Sequence, residues 1–221
     1  MDRRTLALTT ALAAGTVMAA APEASAQSCD PSRMMVILDQ SSSMVRNSIA
    51  GDTLWDIAVT AMDNLTTSFQ DKLQMGLMKF PEPDQCNPGA VFVSPAVNSK
   101  SSIMSQLSAP PPDSGNYTPM YQTLQVAQSV PELQLSDVPN YVVLVTDGWQ
   151  WCDIENNSAD RFKPIDEVAD LAQMGVKTYV VGFGASADVL TLNGMAVEGG
   201  TAIPGCDPTN TSASASDNCY Y

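Results

Sequence analysis

The chain has 221 residues, a formal net charge of −14 and no histidine. So acidic a chain is a poor candidate for nucleic acid or anionic lipid, whose phosphates call for Lys and Arg. Without histidine, Ser-His-Asp triads, imidazole general bases and most transition-metal sites are excluded.

The first 26 residues read as a secretory signal. Arg3 and Arg4 make a basic start, "TLALTTALAAGTVMAAA" is an alanine-rich apolar run, and "ASA" at Ala24 to Ala26 is a small-x-small cleavage pattern. Cleavage there leaves 221 − 26 = 195 residues, 27–221, which suits one medium-sized domain. A secreted or periplasmic location follows. No later run reaches the roughly 18 apolar residues of a membrane span. Cys29, Cys86, Cys152, Cys206 and Cys219 lie in this exported chain, so disulfides are expected, with at least one cysteine left over.

"RMMVILD" (33–39), "YVVLVTDG" (141–148) and "KTYVVGFG" (177–184) are continuous apolar runs bounded by Asp, Ser or Gly. Continuous rather than alternating character predicts parallel strands buried on both faces. "LQMGLMKF" (73–80) is a weaker fourth strand, and "AVFVSP" (90–95), after a Pro/Gly-rich turn, reads as an antiparallel edge partner. Between them, Leu54, Ile57, Ala58, Ala61, Leu65 and Phe69 fall at helical spacing. Thr118 reads as the N-cap of a helix with Pro119 in its first position. Ile165, Val168, Leu171 and Ala172 form another stripe, and 186–196 a last helix broken late by Gly194. Strands alternating with helices predict an α/β fold: a doubly wound, mostly parallel sheet with helices on both faces. The tail 205–219 reads as a loop, which a Cys206–Cys219 bond would staple, and "CYY" as the start of a final edge strand.

The first strand runs into Asp39, Ser41 and Ser43 as D-x-S-x-S. In a parallel sheet the C-terminal strand ends share one rim, where ligands bind. Asp147 ends another central strand at that rim, and Thr118 begins a helix there. These five side chains offer two carboxylates and three hydroxyls, without nitrogen or sulfur. Such a donor set suits a hard cation, Mg²⁺ first, with Mn²⁺ or Ca²⁺ as alternatives. Helix capping would need one of these oxygens, not three at alternate positions.

"DQSSS", "GNYTPMYQTL" and "VTDG", in this order, resemble the motifs of the von Willebrand factor type A domain and its metal-ion-dependent adhesion site. The resemblance covers about residues 33–221. It implies a mostly parallel six-stranded sheet of Rossmann-like type, metal held by Asp39, Ser41, Ser43, Thr118 and Asp147, and a protein partner whose acidic residue completes the coordination. It also implies a final helix after the last strand, for which no residues follow Tyr221, so either the chain is a C-terminally truncated fragment or the domain is incomplete. Asn116 and Tyr117 replace the family's tighter glycine pair.

Tyr117, Trp149 and Trp151 flank the expected rim as candidate partner contacts, although both tryptophans also suit a structural role covering it. Cys86 and Cys152 both follow strands ending at the rim, so they are the expected disulfide pair beside Cys206 and Cys219, with Cys29 left free, paired elsewhere or competing for the tail cysteines. An adhesive, non-enzymatic function is expected. Two alternatives are a metal-dependent hydrolase using Asp153 or Glu155, and a metal-independent structural component of the envelope.

Overall fold

The computed structural model describes residues 30–152 and 157–221; the expected signal segment, Cys29, Asp153 and Glu155 lie outside them. In chain order the elements are β1 (Arg33–Asp39), α1 (Ser43–Arg46), a short hairpin of β2 (Ser48–Ile49) and β3 (Asp52–Thr53), and α2 (Leu54–Phe69). Next come β4 (Gln74–Phe80), β5 (Ala90–Ala96), α3 (Lys100–Gln106) and α4 (Met120–Gln128). A 3-10 turn (Pro131–Gln134), β6 (Asn140–Thr146), α5 (Asn157–Asp160), α6 (Lys163–Gln173), β7 (Val176–Gly182) and α7 (Val189–Glu198) complete the order.

The main sheet has the order β5-β4-β1-β6-β7. β1 is central and pairs in parallel with β4 and β6, and β6 pairs in parallel with β7. β5 runs antiparallel on the edge, as its approach through a turn predicts. On the outer side of β7, Tyr221 N–H donates to the Val180 carbonyl at 2.9 Å and the Tyr221 carbonyl accepts from Gly182 N–H at 2.9 Å. The "CYY" segment thus lies where a sixth strand would pair.

Helices cover the two faces unequally. Met35, Ile37, Phe80, Val142 and Leu144 pack with Leu124 of α4, Leu171 of α6 and Leu192 of α7 in one core. Val36, Leu38 and Leu77 pack with Met44, Trp55, Ala58 and Ile103 of α1, α2 and α3 in the other. α2 starts where Thr53 Oγ1 accepts from Asp56 N–H at 3.1 Å, a helix cap that fixes its entry. Lys79 fits a buried strand because its ammonium lies 4.1 Å over the Phe92 ring and donates to the Gln106 carbonyl at the end of α3.

Four expectations need correction. β6 and β7 are not buried on both faces: the residues of β6 alternate between buried and half-buried. Their second face looks onto an apolar groove of about 480 Å³, lined by Ile57, Ala61 and Leu65 of α2 with Val143, Val145, Val181 and Phe183. Phe69, placed in the apolar stripe of α2, is exposed. α7 runs through Gly194 without a break. A Cβ there would stand 2.4 Å from Ile165 Cδ1, so this glycine lets α7 approach α6 closely. α4 begins at Met120 rather than at Pro119, and Thr118 does not cap it. The backbone of Thr118 is instead paired with Trp151, through Thr118 N–H to the Trp151 carbonyl at 3.1 Å and Trp151 N–H to the Thr118 carbonyl at 3.0 Å.

Candidate metal centre

Parallel pairing carries Asp39, Phe80, Thr146 and Gly182 to the same edge of the sheet. The chain leaves β1 in a tight turn: Ser41 N–H donates to Asp39 Oδ1 at 2.7 Å, which turns the following serines back over the strand end. Ser41 Oγ and Ser43 Oγ are 2.8 Å apart, and Ser43 Oγ donates to Asp147 Oδ1 at 2.8 Å. Ser42, between them, sits at the N-cap of α1 but makes no side-chain cap bond. Its Oγ accepts from Asn116 N–H at 3.1 Å instead, and Asn116 Nδ2 donates to the Gln40 carbonyl at 3.1 Å.

Thr118 joins the group from the other side. It lines, with Ser41, Ser43, Asn116, Tyr117, Asp147, Trp149 and Trp151, a cavity of about 460 Å³ open to solvent. Its Oγ1 lies 3.7 Å from the position of a Cβ on Gly148 and has no hydrogen-bond partner among the described residues. Ser41, Ser43, Thr118 and Asp147 therefore share one cavity. Asp39 is fully buried beneath it, tied in through Ser41.

Two residues without an expected role complete the site. Thr146 Oγ1 donates to Asp39 Oδ2 at 2.6 Å, and Asn47 Nδ2 donates to Asp147 Oδ2 at 3.1 Å. Thr146 stands in the quoted "VTDG"; a hydroxyl before the rim aspartate on a buried strand was its only sequence signal. Nothing marks Asn47, which reaches Asp147 only because α1 folds back over the rim.

The electrostatics are those of a site short of positive charge. Burial, and then the facing Asp147 carboxylate, push Asp39 up to about 7, against the hydrogen bonds from Thr146 and Ser41. Burial also raises Asp147, opposed by Ser43, Asn47 and the charge of Arg46. Among the described residues neither carboxylate makes an ion pair. No cluster of three or more His, Cys, Asp or Glu occurs among those residues, so an ion here would be held by two carboxylates and hydroxyls. Two desolvated carboxylates that no Lys or Arg among the described residues neutralises by an ion pair, beside three hydroxyl oxygens, fit a hard divalent ion.

The rim is aromatic. Tyr117, Trp149 and Trp151 are 37%, 42% and 47% exposed. Trp149 is fixed: its Nε1 donates to the Ser186 carbonyl at 3.0 Å and the Arg161 guanidinium lies 4.2 Å over its ring. Arg161 in turn pairs with the buried Asp188 at 2.6 Å. The two expected disulfides are present, Cys86–Cys152 beside the rim and Cys206–Cys219 in the tail.

The sequence profile of the von Willebrand factor type A domain matches residues 34–214, and the chain belongs to that family. No curated protein matches it in sequence. Among solved structures it is similar to an aerotolerance-related membrane protein of Bacteroides fragilis, with 15% identity, TM-score 0.58, and coverage of 76% of this chain and 88% of that one. It is also similar to proximal thread matrix protein 1 of the mussel byssus, solved with a zinc-occupied metal-ion-dependent adhesion site: 19% identity, TM-score 0.57, 76% of this chain and 40% of that one. A third is the manganese-loaded TRAP protein of Plasmodium vivax, with 16% identity, TM-score 0.54, 82% of this chain and 65% of that one. At these identities the likeness is one of fold. No helix among the described residues is long and apolar enough to cross a membrane.

Proposed function

We propose that this is an exported, divalent-metal-dependent protein-binding domain. Asp39, Ser41, Ser43, Thr118 and Asp147 would hold the ion, Mg²⁺ in first place. The carrying observation is the pair of desolvated carboxylates that make no ion pair among the described residues, beside hydroxyls that include Thr118 Oγ1, which makes no hydrogen bond to those residues. The zinc and manganese found in the mussel and Plasmodium structures support a divalent ion in this family. The bound ion would supply a Lewis-acidic position for an oxygen from outside, and an acidic residue of a partner protein is the natural donor.

The chain's own groups set the rest. Asp147 and Asp39 offset the charge of a divalent ion, so the site itself would be near neutral when filled. With a net charge of −14, the surroundings do not steer an acidic partner in from a distance. Contact must be made locally. Arg46, lining the cavity beside Asp147, favours a carboxylate there, and Tyr117, Trp149 and Trp151 supply rigid apolar area around it. Disulfides persist in oxidising compartments, which supports an exported location.

The test is capture of partners from host envelope and culture medium on immobilised protein, with Mg²⁺ or with EDTA. Proteins retained by the parent only with Mg²⁺, and lost with Asp147→Ala, support the reading. Identical retention in EDTA contradicts it.

A further inference from the structure

Thr118 lies outside the first-strand turn, and its backbone is held between two loops. On one side, the Gln85 carbonyl accepts from Tyr117 N–H at 3.0 Å. On the other, Trp151 and Thr118 exchange two backbone hydrogen bonds. The residues following Gln85 and Trp151 are Cys86 and Cys152, which are bonded to each other with their Cα atoms 5.3 Å apart. A covalent strap therefore closes around residues 117–118, gripping one amide from each side.

Among the described residues, little else holds this strap. Residues 83–85 and 87–88 are exposed, and Trp151 leaves nearly half its surface in solvent, so apolar burial contributes little here. Asn116 has its own anchors on Ser42 and Gln40, which hold the loop two residues before Thr118 but not Thr118 itself. Gln150 pins the loop after β6 to α4, accepting from Tyr121 N–H at 2.9 Å and donating to Gln122 at 3.1 Å. That contact keeps the loop on the fold; among the described residues the backbone of Trp151 is held by its bonds to Thr118 and by its place beside the Cys86–Cys152 bond.

We infer that the Cys86–Cys152 disulfide is a positioning element for Thr118: breaking it weakens ion binding at the rim while the fold persists. The inference rests on the proposed metal site. Groups that orient metal ligands typically contribute about 10–100-fold in affinity, and the strap acts at that level.

The experiment is Mn²⁺ titration calorimetry at 15 °C on four proteins: the parent, Cys86→Ser/Cys152→Ser, Thr118→Ala, and the combination. The expected result is a Kd for the cysteine variant at least about tenfold weaker than the parent's. In the Thr118→Ala background the same change should have no further effect, because the strap acts through that hydroxyl. Cys206→Ser/Cys219→Ser is the control: it removes the tail staple and should leave the Kd within about twofold of the parent's, whatever its melting temperature. Should Cys86→Ser/Cys152→Ser not fold, the tail variant is folded first and then treated with dithiothreitol. The reagent closes to its cyclic disulfide as Cys86–Cys152 becomes two thiols, and the same tenfold criterion applies. A Kd within twofold of the parent's, or equal weakening with and without the Thr118 hydroxyl, overturns the inference and leaves the metal site standing. A parent that binds no Mn²⁺ overturns both.

Discussion

Asp39→Asn separates the cost of the site from its use. In the folded chain without metal, Asp39 is raised from 3.8 to about 7, first by burial and then by Asp147. A group raised on folding contributes stability that is fully present below its unfolded value and is lost as the pH climbs through the folded one. The metal-free parent should therefore weaken between about pH 4 and pH 8. A difference of about three pH units at about 1.4 kcal/mol each gives about 4 kcal/mol. Asparagine avoids this cost. Its Oδ1 can still accept from Ser41 N–H, and its amide can donate to Thr146 Oγ1, with that hydroxyl turning its own proton away. Allowing for the lost charge-assisted bond, Asp39→Asn should be about 2–4 kcal/mol more stable than the parent in EDTA at pH 8, roughly 5–15 °C in Tm. At pH 4 the two should melt together. Saturating Mn²⁺ at pH 8 should stabilise the parent by about 3 kcal/mol at a hundredfold excess over Kd and leave the variant unmoved. Scanning calorimetry at the two pH values, with EDTA and with Mn²⁺, measures all of this. A variant less stable than the parent in EDTA at pH 8 would refute the account of two desolvated, like-charged carboxylates.

Protons and metal compete for the same oxygens, so Mn²⁺ affinity of the parent should fall steadily as pH drops below about 7; an affinity flat from pH 8 to pH 5 would contradict the raised pKa of Asp39. Thr118→Ala should weaken Mn²⁺ by about tenfold in calorimetry yet change the Tm in EDTA by little, because its hydroxyl makes no hydrogen bond to the described residues. Trp151→Ala should reduce partner capture without changing Mn²⁺ affinity, whereas Trp149→Ala should also lower the Tm, since it breaks the bond to Ser186 and the stack on Arg161. Gly194→Ala should cost about 1–3 kcal/mol by denaturant unfolding, because the new methyl meets Ile165.

The strands and the rim were readable because their signals are local. A run such as "MVILD" or "VVLVTD" states both a buried strand and the oxygen at its end, and the parallel register then carries both aspartates to one edge. What escaped was set by neighbours. α3 buries one large side chain, Ile103, too little for a periodic stripe. Thr118-Pro119 has the composition of a helix start, but the pairing of Thr118 with Trp151 delays the helix and leaves the hydroxyl uncommitted. Gly194 resembles a helix break until α6 is placed beside it. The apolar continuity of "YVVLV" predicts burial on both faces, yet Val143 and Val145 border a groove, because α2 covers the β1 side of that face more fully than the β6 side.

The proposed function requires a divalent ion between the first-strand serines, Thr118 and Asp147. Crystals grown with Mn²⁺ and measured for anomalous scattering address it directly. A strong peak is expected within about 2.5 Å of the Ser41, Ser43 and Thr118 hydroxyls or of waters bound to them. Manganese found only elsewhere, with Ser43 still donating to Asp147, would contradict it.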